Sequence, residues 1–194
     1  MNLLSLKVLV LDINKRAFKS PIQSHGRSEY LWTADRKMIA ECDKCQPGFS
    51  GTIGDECTCG LYSSPDLSAI EEYDGEAYSV LCLLNLYGTT DLWWGPTDYH
   101  FKSLDLSTTI ICRSWGARII GIVSRNDLPS WYTTKKHLNK ATKLKLASQI
   151  AADILNVDIF PWPIMEIMIK KTWEPTRIKE LRMGQIDHLT WKGE

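Results

Sequence analysis

The sequence predicts an α+β fold: a mostly antiparallel sheet with one long packed helix and a small loop stapled by four cysteines. Three observations carry this. Residues 6–13 and 78–87 are apolar runs of strand length, each bounded by polar or turn residues. Leu144, Ala147, Ile150, Ala151, Ile154 and Leu155 recur at helical spacing and fall on one stripe. The stretch from Cys42 to Cys59, CDKCQPGFSGTIGDECTC, holds four of the six cysteines, and its glycines and Pro47 leave it no core of its own.

The elements follow in order. Leu6 to Ile13 reads as a buried strand and Asn14 to Arg27, with Pro21 and Gly26, as a loop. Tyr30 to Ala40 reads as a hairpin, with Ala34-Asp35-Arg36 turning between Leu31-Trp32 and Met38-Ile39. Pro65-Asp66 opens a short helical stretch through Tyr73. Tyr78 to Tyr87 is the strongest strand, ended by Gly88, and Asp91 to Leu106 is an aromatic-rich loop. Thr108–Cys112 and Ala117–Val123 read as two strands joined by Arg113-Ser114-Trp115-Gly116. Thr134 caps a helix to about Asn156, Val157–Phe160 is a last strand, and Pro161-Trp162-Pro163 breaks the chain. Two short helices follow, around 164–171 and 176–183.

At 194 residues, 44% hydrophobic and 24% charged, the chain has the size and composition of one core-forming domain. We expect that domain over residues 1–160, with 161–194 as a helical extension. The first residues, MNLLSLKVLVLD, have no basic start, and Lys7 and Asp12 interrupt the apolar run, so they do not read as a signal peptide. No apolar run is long enough to span a membrane. A cytoplasmic protein with no membrane partner is expected.

The formal net charge is zero, yet the charge is segregated. Between Glu41 and Glu76 nine acids face the single base Lys44; between Arg113 and Lys145 eight bases face Asp127 alone. Such blocks are either solvated faces or fields that steer a charged partner.

Cysteine spacing leaves three readings. The preferred one is a structural zinc ion held by Cys42, Cys45, Cys57 and Cys59: C-x2-C brings two thiolates together from one turn, and four sulfurs close a tetrahedral shell. His25 is a possible substitute ligand. The C-x-C pair is a less usual second half than C-x2-C. Disulfides, suggested by a short likeness to laminin-type EGF modules, and metal-free reduced thiols remain alternatives. Cys82 and Cys112, in apolar strands, are expected to be buried.

Ser20-Pro21, Trp32, Ala40-Glu41-Cys42, Cys57-Thr58-Cys59-Gly60-Leu61-Tyr62, Leu86-Tyr87-Gly88 and Arg113 to Ile119 follow one another in an order that resembles a family of uncharacterised bacterial and phage-borne proteins. The resemblance runs loosely over residues 6–160, with Cys-x-Cys-Gly its most specific step. The segment Thr89 to Thr108 departs from it as an insertion. It implies a domain boundary and carries no activity.

Enzyme signatures are missing. There is no P-loop, dinucleotide fingerprint or nucleophile elbow, and four thiolates would leave no open zinc position for water. Asp98-Tyr99-His100 is a weak candidate for a general base, since a His beside aromatics is more often a packing residue. The expected function is therefore a non-catalytic, zinc-stabilised binding module, with nucleic acid as preferred ligand. Lys135, Lys136, Lys140, Lys143 and Lys145 would meet phosphates, Trp115, Trp131 and Tyr132 would stack bases, and Arg113 and Arg118 flank Trp115 with guanidinium planes that also stack. The alternative is a protein–protein adaptor that inserts Trp93, Trp94 and Tyr99 into a larger complex.

Overall fold

A computed structural model describes residues 3–20, 31–32, 37–39, 60–74, 78–94, 110–132, 137, 139–173 and 191–193. Within these, the strands in chain order are β1 Leu3–Asp12, β2 Ala17–Lys19, β3 Leu31–Trp32, β4 Lys37–Ile39, β5 Leu61–Ser63, β6 Ser79–Trp94, β7 Ile110–Val123, β8 Ile159–Phe160 and β9 Trp191–Gly193. The α-helices are α1 Ala141–Leu155 and α2 Trp162–Trp173, and short 3-10 turns cover Ser68–Tyr73 and Arg125–Asp127. The fold is α+β with a largely antiparallel sheet, as expected.

β6 is the centre of the sheet. It pairs with β1 along one edge, from Leu3 opposite Leu86 to Val10 opposite Ser79, and with β9 further along that edge at Gly88–Thr90. Its other edge carries β7 along its length. The far edge of β7 takes β5, β4 and β8 in succession, β8 being parallel. The circuit then closes: the Ser64 amide donates to the Leu6 carbonyl at 3.0 Å, and the Leu6 amide donates to the Ser64 carbonyl at 2.7 Å. β1, β6, β7 and the β5–Ser64 segment thus form a hydrogen-bonded ring.

Three expectations are corrected. Gly88 does not end a strand. It sits in a bulge where Gly88 and Thr89 of β6 face Trp115 alone, its φ is +73°, and the Trp115 ring fills the place a side chain would take. β6 bends there and continues to Trp94, so Asp91–Trp94, expected to open the aromatic-rich loop, are strand paired to Ile110–Arg113. Nor is Arg113–Gly116 a connection between two strands: all four residues lie within the single strand β7, with Ser114 paired to Leu61 and Thr90, and Gly116 to Tyr87. The third concerns Leu31-Trp32 and Met38-Ile39, which are strands but not a hairpin. β3 pairs with β2 and β4 with β7, at opposite ends of the sheet order.

α1 packs against β6 and β7 and puts Ala147, Ala151 and Leu155 into the core, with Ile150 and Ile154 half-buried beside them; Leu144 is also buried, and Asn156 in the left-handed conformation ends the helix. The expected helix is shorter than Thr134–Asn156: Asn139 and Lys140 form a turn and α1 begins at Ala141, while Thr134 itself lies outside the described residues. α2 packs Met165, Ile169 and Trp173 into the same core against β1, so this part of the 161–194 segment belongs to the main hydrophobic cluster. The Trp173 indole N–H donates to the Leu4 carbonyl at 2.7 Å. The second expected helix, 176–183, lies outside the described residues. Among the described residues no helix is long and apolar enough to cross a membrane.

Candidate functional site

Five residues scattered through the sequence meet where the turn Ser68–Tyr73, the start of β6 and the segment after β7 come together. Asp74 is 1% exposed. Its Oδ1 accepts from Ser79 Oγ at 2.5 Å and from Arg125 Nη2 at 2.7 Å; its Oδ2 accepts from Tyr132 Oη at 2.7 Å and from Arg125 Nη1. Arg125 also donates to the Ser79 carbonyl at 3.1 Å. Burial opposes the charge on Asp74, but Arg125, Ser79 and Tyr132 outweigh it and hold the carboxyl below its ordinary value. Burial and then the neighbouring Asp74 charge push the Tyr132 hydroxyl up, so it stays a donor.

His137 closes the cluster. Its ring stacks on Tyr132, and its two nitrogens face backbone carbonyls, Nδ1 that of Tyr132 at 2.8 Å and Nε2 that of Asp74 at 2.5 Å. Each neutral tautomer leaves one of those carbonyls without a donor from this ring. With both Asp74 oxygens taken up by Arg125, Ser79 and Tyr132, this arrangement is suited to anchoring residues 125–132 and His137.

What it anchors is the rim of a groove. Trp131, the neighbour of Tyr132 and in edge contact with its ring at 5.9 Å, remains 55% exposed. Trp131 and Pro129 form one wall of a groove of about 360 Å³; Trp162, Ile169 and Trp173 of α2 form another, and Asp66, Glu166 and Lys170 stand among its polar groups. A second depression, about 440 Å³ at the end of α1, is lined by Asp153, Asn156 and Asp158 among others, and its accessible lining is mostly polar.

The residues singled out from the sequence distribute differently. Cys42, Cys45, Cys57, Cys59 and the alternative ligand His25 lie outside the described residues, as do Lys135, Lys136, Tyr99, Asp98 and His100. Trp93 and Trp94 occupy β6 opposite Ile111 and Ile110, and their side chains lie outside the described ones. Arg113 is 3% exposed, and Tyr132 is fully buried on Asp74, so neither offers a surface to a base or phosphate. Trp115 is half-buried, edge-on to Tyr87 at 5.7 Å and packed against Gly88. Arg118 is half-buried on β7, paired in register with Asn85 and Lys37. Lys140 is half-buried at the start of α1, while Lys143 and Lys145 are exposed on its first turns. Cys82 and Cys112 are buried free thiols, as expected.

Sequence reading missed Asp74, Ser79, Arg125 and His137, which are spread over more than sixty positions and carry no motif. Eight tryptophans are many for 194 residues, and that is the sequence signal for the groove, which three of them line among the described residues. No family model, curated protein or solved structure matches the chain.

Proposed function

We propose that the protein is a non-catalytic binding module that docks a segment of a partner protein in the groove of Trp131, Trp162 and Trp173. The observation that carries this is Trp131: a large apolar side chain left 55% exposed on a segment that a buried carboxylate network holds in place. Aromatic walls fixed by the fold lose little side-chain freedom on binding, which favours a recognition surface. Ile164 and Ile167, 49% and 55% exposed on α2, extend the apolar surface of that helix. Zinc held by Cys42, Cys45, Cys57 and Cys59 remains part of the proposal as a structural staple.

Nucleic acid is the second reading, favoured by exposed Lys143 and Lys145 on α1 and by Lys135 and Lys136 in the sequence before it. Burial of Arg113 and Tyr132 removes two of its expected contacts and puts it behind the protein reading.

Short random peptides displayed on phage and panned against the full chain separate the two. Peptides that bind wild type and not Trp131→Ala support the groove. Single-stranded oligonucleotide binding that falls steeply with salt and is lost in a Lys143→Glu, Lys145→Glu variant, with no peptide enriched, would overturn it.

A further inference from the structure

We infer that the groove takes a cation, specifically an arginine side chain presented by the docked segment; this rests on the protein-docking reading above. Trp131, 55% exposed, supplies the accessible indole and the largely buried Trp162 and Trp173 complete the lining; an indole face attracts a cation placed over it more strongly than the other aromatic faces do. The charged groups of the groove point the same way. Asp66 uses Oδ1 to accept from the Ser68 amide at 3.0 Å and the Ser68 hydroxyl at 2.8 Å, and its Oδ2 makes no hydrogen bond among the described residues. Glu166 holds Lys170 at 2.8 Å through Oε1. The one base among the described lining residues is therefore already matched by one carboxylate, and Asp66 leaves that described lining with a net negative charge.

Occupants differ sharply in such a place. An anion meets like charge. A purely apolar side chain gains contact with the indoles but strips water from Asp66 and gives nothing back. A guanidinium does both jobs, since its plane stacks on an indole and its N–H groups reach carboxylate oxygens in pairs. An ammonium carries the same charge without the flat face, which ranks lysine behind arginine.

The test uses the intact protein with its tryptophan indole N–H groups observed by NMR and assigned through single Trp→Phe variants. Two probes are titrated, acetyl-arginine methylamide and acetyl-citrulline methylamide, the second a neutral near-isostere of the first. The expected result is that the arginine probe shifts the Trp131 and Trp162 signals at concentrations at least about fivefold lower than citrulline does. In Asp66→Asn with Glu166→Gln, which keeps the amide oxygen for the Ser68 turn, that preference should shrink to about twofold or less. Equal response to both probes overturns the arginine inference and leaves the groove reading intact. No response to either, combined with no displayed peptide that depends on Trp131, overturns both.

Discussion

Tyr132 lies flat on His137, ring centroids 5.4 Å apart and planes 12° apart, while its hydroxyl donates to Asp74 at 2.7 Å. One side chain thus ties a buried acid to a buried imidazole and fixes the backbone on which Trp131 is carried. Exposure of Trp131 is then imposed by its neighbours and does not reflect a loose loop.

Asp74 is the member whose loss should cost most. Asp74→Asn leaves the Arg125 guanidinium without its counter-charge, and the expected loss is about 3–5 kcal/mol in urea unfolding at pH 7. The acid limb follows from the same group. A carboxyl held below its ordinary value of about 3.9 stabilises the fold above that pH, and the benefit is lost as pH falls toward the folded value. Wild type should lose stability steeply below about pH 4, and Asp74→Asn should lack that part of the slope.

Lys7 acts in the opposite direction. Burial lowers its ammonium to about 8, with some relief from neighbouring Cys82, although its Nζ donates to the Tyr62 carbonyl at 2.6 Å. The unfolded chain, with its Lys at about 10.4, binds more protons between those two values, so stability should rise as pH goes from 8 toward 10.4. Lys7→Met should be the more stable protein at pH 7, by about 1 kcal/mol, with the gap closing at alkaline pH. Thermal melts across pH 7–10.5 read both effects. A Lys7→Met protein that is less stable throughout would contradict the burial argument.

Gly116 tests the bulge region. A Cβ at this position would overlap the Tyr87 ring, which is pinned by Trp115 and by a hydrogen bond from its hydroxyl to the Met38 carbonyl at 3.2 Å. Gly116→Ala should cost about 1–3 kcal/mol, and Tyr87→Ala in the same chain should recover part of the cost attributable to the clash. A double-mutant cycle in urea measures this coupling.

Thiol chemistry separates the two buried cysteines from the loop. Burial pushes the Cys82 and Cys112 thiols up to about 12, so both should resist a thiol reagent at neutral pH until the protein unfolds. If Cys42, Cys45, Cys57 and Cys59 hold zinc, they should react only after a chelator is added, with release of one metal ion per chain. Four thiols that react at once in protein free of metal would remove zinc from the proposal.

The parts legible in the sequence were those written in local periodicity. Alternating and continuous apolar runs announced β1 and the first half of β6, and the Leu144–Leu155 stripe announced the buried face of α1. What failed was the meaning of punctuation. Gly88 and Arg113–Gly116 look like strand ends when read locally, but the bulge at Gly88 and the pairing of Ser114 with Leu61 are set by partners far away in the chain. Placement of Leu31-Trp32 and Met38-Ile39 at opposite edges was hidden for the same reason, since adjacent short strands favour a hairpin until the sheet decides otherwise. The Asp74 cluster was invisible because each of its members is an ordinary polar residue until the fold removes the water around it.

The hydrogen bond from Trp173 to Leu4 spans 169 positions, and the Leu4 amide reaches Thr172 in return at 3.4 Å. On the ribosome, β1 must therefore wait for those 169 positions to be made before its covering helix exists. Until then β1 can pair along β6 yet keeps the apolar surface that Met165, Ile169 and Trp173 later cover. A nascent chain halted before Trp162 would carry that surface uncovered, open to chaperones and proteases. The contact between Leu4 and Trp173 thus couples the packing of β1 to a helix made much later.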